Sequence, residues 1–196
     1  MKTLFAFAIA LMFAAAPFAR ADEAKCREIA LRKYPDNPRM AEFIYQQQLD
    51  AYRYISTLAK EPDVLAIAVR KHPEDFSMQK FIYDEQSQAK AYMATVADEV
   101  VKRIALRKYP ADFSMQKFIY DEQLAAKSHM AGVTDPDVKA MALRKYPEDF
   151  SMQKFHYGEQ AQAKAYMATL PADARKAEAV RRYPSDYSMQ KYLYGR

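Results

Sequence analysis

Ala105-Leu106-Arg107-Lys108-Tyr109-Pro110-Ala111-Asp112-Phe113-Ser114-Met115-Gln116-Lys117-Phe118 decides the fold, because related versions of it run through the whole chain. Its first half returns as Ala30 to Pro35, Ala68 to Pro73, Ala142 to Pro147 and Ala179 to Pro184. Its second half returns nearly unchanged at Asp75 to Phe81 and Asp149 to Phe155, and conservatively at Asp186 to Tyr192. Successive prolines stand 38, 37, 37 and 37 residues apart. A fixed period of this size marks a stack of small supersecondary units, each too small to bury its apolar face alone.

Each unit reads as a short helix followed by a long one. Asp135-Pro136 supplies a cap and a proline at the first helical position, and Glu61-Pro62 holds the same slot two repeats earlier. The Arg-Lys pair places positive charge at the carbonyl end of the short helix, and the Tyr-Pro step stops it. Beyond the proline, Asp75 or Ser77 opens a second helix that meets no Gly or Pro as far as Val96. The spacing predicts short helices near 24–33, 62–71, 98–108, 136–145 and 173–182. Long helices follow near 39–58, 76–95, 113–131 and 150–169, with a truncated last one near 187–194. On the long helix Met78, Phe81, Ile82, Ala89, Tyr92, Met93 and Val96 fall within about 120° at 100° per residue, which predicts the core stripe. Val64, Ala68, Val69 and His72 form the matching stripe on the short helix. In the last unit Arg175 and Glu178 replace Val138 and Met141 of the preceding one, as befits a terminal cap. The expected architecture is an all-α, solenoid-like array of helical hairpins with a period of about 37 residues.

Composition agrees with helices. Only 3 of 196 residues are Gly, while 51% are apolar and 28% charged, a balance poor in hairpin turns and phosphate loops and too apolar for general disorder. Residues 1–21 read as a cleaved signal peptide: Lys2 at the start, an uncharged apolar run from Leu4 to Ala16, and a small-x-small end at Ala19-Arg20-Ala21. That run is short for a membrane span, and none recurs in the mature chain. Residues 22–196 then form one helical-repeat domain of about four and a half repeats, periplasmic or secreted. The Glu23-Ala24-Lys25 that precedes Cys26 lacks the pattern of a lipid-anchoring signal. Removal of Lys2 and Arg20 lowers the net charge from +5 to +3, with both signs interspersed, which argues against a nucleic-acid partner.

Few residues offer chemistry. Cys26, the single cysteine, is expected either to be buried or to form an intermolecular disulfide in an oxidising compartment. His72, His129 and His156 occupy three different repeat registers, so no metal site is expected, and no cofactor. Glu85, Glu122 and Glu159 fall near the centre of the predicted stripe, where a lone carboxylate is costly. Arg70, Arg107 and Arg144 on the short helices are the expected partners in a structural ladder. Acid/base catalysis needs carboxylates in unlike environments, which a repeated ladder does not supply, so no enzyme is expected.

The expected ligand face carries Tyr83, Tyr120 and Tyr157, Gln79, Gln116 and Gln153, and Lys90, Lys127 and Lys164, in columns of aromatic ring, amide and ammonium. Such a face suits an envelope polymer or a protein partner. The competing expectation is that these side chains pack between hairpins. The sequence thus points to an exported, non-enzymatic helical-repeat binding module, with a homo-oligomeric envelope protein that assembles through its terminal repeats as the alternative.

Overall fold

The computed structural model describes residues 16–196, with side chains from Glu23 onward except that of Leu58. Most of the segment read as a signal peptide therefore lies outside the described residues. Ten helices and no strand occur among the described residues: α1 (Ala16–Lys33), α2 (Pro38–Leu58), α3 (Pro62–Lys71), α4 (Phe76–Thr95), α5 (Glu99–Lys108), α6 (Phe113–Gly132), α7 (Pro136–Lys145), α8 (Phe150–Thr169), α9 (Ala174–Arg182) and α10 (Tyr187–Tyr194). The chain is an all-α repeat array in which short and long helices alternate. Boundaries follow the predicted ones closely from α2 onward. Helix α1 begins earlier than residue 24, because Pro17 is tolerated in a first turn and the alanine-rich residues after it contain no breaker.

Caps set those boundaries. The side chains of Asn37, Asp75, Asp112, Asp149 and Asp186 each accept from the backbone N–H three residues on, at 3.0–3.2 Å, and so open the long helices. Asp98, Asp135 and Asp173 do the same for α5, α7 and α9. Glu61 makes no such bond at the start of α3. Short helices end where the N–H of His72, Tyr109, Tyr146 or Tyr183 closes onto the carbonyl of an alanine four residues back. Those alanines, Ala68, Ala105, Ala142 and Ala179, have no exposed surface.

Two compact units divide the chain, Met1–Ala91 and Tyr92–Arg196. In the first, α1 packs on α2. In the second, α5 packs on α6, α7 on α8 and α9 on α10, and the long helices α6, α8 and α10 lie against one another in succession. A core there gathers Met93, Val101, Ile104, Ala105, Ile119 and Tyr120. Edge-on contacts between Tyr92 and Tyr120, with ring centroids 6.2 Å apart, extend it.

The buried stripe of the long helix keeps Ile82, Ala89 and Met93 of the predicted one but is turned away from its other members. Phe81 is 60% exposed and Met78 is also exposed, whereas Gln79, Ile82, Tyr83, Gln86, Ala89 and Met93 are buried. At 100° per residue the real stripe centres on Gln86, rotated by about 80° from the expected direction. The same rotation holds in α6, where Gln116, Ile119, Tyr120, Gln123, Ala126 and Met130 are buried. Glutamines whose amides donate inside the fold, Gln79, Gln116 and Gln153 among them, replace apolar residues that a hydropathy pattern seeks. On α3 the buried residues are Val64, Ile67 and Ala68, while Val69 is exposed.

Candidate functional site

The tyrosines, glutamines and lysines expected to face a ligand are instead tied into the joints between helices. Tyr83 and Tyr120 are 5% and 4% exposed, and Tyr157 is half-buried. The hydroxyl of Tyr83 accepts from the N–H groups of Lys60 and Glu61 at 2.9 and 3.2 Å. That of Tyr120 accepts from Asp98 N–H at 3.2 Å, and that of Tyr157 from Asp135 N–H at 3.3 Å. Each tyrosine thus holds the loop that opens the preceding short helix. Gln79, Gln116 and Gln153 are buried as well, and their amides donate to the carbonyls of His72, Tyr109 and Tyr146 at 2.6–2.7 Å. The nine residues do not form an open aromatic and amide face, because the loops between helices present backbone groups that these side chains satisfy.

The lysines finish the same joints. Lys90 bonds Asp63 at 2.7 Å and pairs with Glu61 at 3.1 Å, Lys127 bonds Asp98 at 2.6 Å, and Lys164 bonds Asp135 at 2.7 Å. Ammonium contact first, and the cap N–H bond next, hold the Asp98 and Asp135 carboxyls below the usual carboxylate range. Asp63 is held down chiefly by Lys90. Carboxyls lowered in the folded state stabilise it above their unfolded pKa of about 4, and that stability is lost as pH falls through their folded values. Denaturant midpoints should therefore drop as pH is lowered below about 4 to 5, with a smaller acid dependence in Asp98→Asn and Asp135→Asn. Equal pH profiles for wild type and both variants would show that these joints carry no linkage.

The predicted carboxylate ladder is also absent. Glu85, Glu122 and Glu159 are exposed rather than buried, a direct result of the rotated stripe. Arg70 and Arg144 are exposed, and Arg107 bonds Glu148 at 2.8 Å rather than Glu122 or Glu159. Cys26 has no exposed surface and lies in the register of the equally buried Val64, Val101 and Val138. A disulfide to a second chain would require α1 to leave α2. His156 is buried edge-on to Tyr146, with burial pushing its imidazole below the ordinary range. His129 is exposed and His72 half-buried. Among the described residues no three His, Cys, Asp or Glu side chains converge as metal ligands would.

A different glutamine set governs the array. Gln48 is 2% exposed; its carbonyl oxygen accepts from the N–H of Phe76 at 2.8 Å and Ser77 at 3.3 Å, and its amide donates to Asp75 at 2.8 Å. Gln123 repeats this on Phe150, Ser151 and Asp149, and Gln160 on Tyr187, Ser188 and Asp186. One amide thereby satisfies orphan N–H groups at the start of the following long helix and orients its capping carboxylate. The available signal was a pair of glutamines seven residues apart, Gln79 and Gln86, Gln116 and Gln123, Gln153 and Gln160, on one helical face.

A second tie joins consecutive long helices. In the first unit the Tyr54 hydroxyl donates to Asp84 at 2.8 Å while Lys80 bonds the same carboxylate and lies 4.4 Å from the Tyr54 ring centroid. In the second, Tyr92 donates to Asp121 at 2.5 Å, and Lys117 bonds Asp121 and lies 4.7 Å from the Tyr92 ring centroid. The bond to Asp121, with burial and the negative charge, pushes the Tyr92 phenol up to about 12. In the next repeat these positions are His129, Gly158 and Lys154, and the tie is missing.

Among the outward side chains one aromatic register stands out. Phe43, Phe81, Phe118 and Phe155 share one register and are 56–61% exposed, with Tyr192 at 55% in the last helix. Glu85, Glu122 and Glu159 follow one turn after three of these rings. Beside α8 they border a groove of about 540 Å³ lined by Glu122 and Ala126 of α6 and by Ser151, Lys154, Phe155, Gly158, Glu159 and Gln162 of α8.

Fold and site together define a class: an all-α repeat whose hairpins are locked by buried glutamines and whose long helices hold a Phe or Tyr ring outward in one shared register. Comparison adds no relative to this description, for no family model, curated protein or solved structure matches the chain.

Proposed function

We propose that this chain is an exported, non-enzymatic helical-repeat module that binds a partner protein through the aromatic rings that the long helices of each unit hold outward in one register. The observation that carries the reading is the recurrence of Phe43, Phe81, Phe118 and Phe155 at more than half exposure in one register. A single exposed apolar side chain is ordinary, but a large aromatic ring held out at the same place in each repeat is a costly surface that a partner can cover. The Tyr, Gln and Lys side chains are occupied by helix joints and are not assigned to partner contact. Residues 1–21, with their basic start, apolar run and small-residue end, support export.

The test changes Phe43, Phe81, Phe118 and Phe155 together to Ser in the mature chain. Since more than half of each ring is already solvated, the helical circular dichroism signal and the melting temperature should stay within a few degrees of wild type. Partner retention from an envelope extract should be lost. Retention equal to wild type by a folded variant refutes the reading. Light scattering across concentration identifies a second copy as the partner if wild type associates and the variant does not.

A further inference from the structure

The groove between α6 and α8 sits where the tyrosine-aspartate tie is missing. Lys80 and Lys117 are both consumed by that tie, each bonded to an aspartate and lying near a tyrosine ring. Lys154, in the same register, has neither partner and remains exposed, since His129 stands for the tyrosine and Gly158 for the aspartate. A Cβ built on Gly158 meets nothing within 4 Å, so the space is open. Glu122 from one helix and Glu159 from the other border it, both exposed and without an ion pair among the described residues. Phe155, 58% exposed, supplies an apolar surface one turn before Glu159.

We infer that this groove takes an extended segment of the partner protein in which a lysine or arginine adjoins an apolar side chain. The inference rests on the preceding reading and names the chemistry that reading leaves open. The apolar group covers Phe155, and the cation lies toward the Glu122 and Glu159 carboxylates. Lys154 donates to a main-chain carbonyl of the segment, an acceptor that every peptide carries. Two carboxylates against one ammonium leave the groove net negative, so complementarity favours a basic segment over an acidic one. An apolar ring bordered by charge selects against purely polar cations, because they leave the ring uncovered.

The probes are end-blocked fluorescent octapeptides of alternating Arg and Leu, with Glu/Leu and Arg/Ser peptides as counterparts, read by anisotropy with the mature chain. The Arg/Leu peptide should bind, and more weakly as salt rises. Glu122→Gln with Glu159→Gln should reduce affinity about fivefold or more and flatten the salt dependence. His129→Tyr with Gly158→Asp rebuilds the tie, consumes Lys154 and fills the groove; it should cost binding to a similar degree while the melting temperature holds or rises. Equal binding of all three peptides, or wild-type affinity in the two glutamine substitutions, overturns the proposal. Partner capture separates it from the broader reading. If capture is lost on changing Phe43, Phe81 and Phe118 but survives rebuilding of the tie, the groove assignment fails and the outward-face reading stands. If the four-Phe variant also captures, both fail.

Discussion

Changing Gln123 to leucine should destabilise the second unit by about 3–5 kcal/mol in urea unfolding. Leucine has nearly the volume of glutamine, so little cavity forms. What is lost is three hydrogen bonds at a site with no exposed surface: the N–H of Phe150 at 2.7 Å, that of Ser151 at 3.4 Å, and the Asp149 carboxylate at 2.8 Å. Asp149 must also hold the Met152 N–H, 3.1 Å away, to open α8, and without the amide its charge is poorly solvated. Gln123→Glu sharpens the test, because it sets a second carboxylate against Asp149. That variant should be weakest at neutral pH and recover as pH falls, since a protonated glutamic acid can again donate to Asp149. A leucine variant within about 1 kcal/mol of wild type would mean that the clamp contributes only geometry.

Replacing Tyr83, Tyr120 and Tyr157 together with alanine should abolish cooperative unfolding at room temperature. Each substitution removes a large packed ring, worth about 3–5 kcal/mol where burial is nearly complete, against a net stability of about 5–15 kcal/mol for a domain. Tyr120→Phe keeps the ring and loses only the acceptor for the Asp98 N–H, which should cost about 1 kcal/mol. The ordering alanine, then phenylalanine, then wild type in chemical denaturation assigns these rings to packing. A triple variant that melts like wild type would return them to the surface and restore them as candidate ligand contacts.

These two expectations reverse the order in which the sequence presents its residues. Helix positions were legible because proline, aspartate and the Arg-Lys pair act through local chemistry, at the ends of helices, where a few neighbours decide the outcome. The repeat period was legible because it needs no chemistry at all. The direction in which a long helix faces was not, since it depends on partners in another repeat. Gln86 and Gln123 look like surface residues until their hydrogen-bonding groups are known to be met, and Phe81 and Phe118 look like core until the glutamine stripe displaces them. The misplaced carboxylate ladder followed from that single rotation. The chain itself held one usable clue: Tyr54 faces Asp84 and Tyr92 faces Asp121, both positions change at His129 and Gly158, and the last repeat keeps Tyr166 but not the aspartate, with Gly195 in its place.

The glutamine clamp also gives the array a grammar of growth. From Gln123 to Gln160 the chain runs 37 residues, starting at one clamp and finishing at the next. A duplicated stretch of residues 124–160 arrives with its own capping aspartate for the clamp before it and its own amide for the helix after it. Both seams are already solved, so length can change by whole repeats without inventing a new interface, while a fragment of any other size leaves one amide and one helix start unanswered.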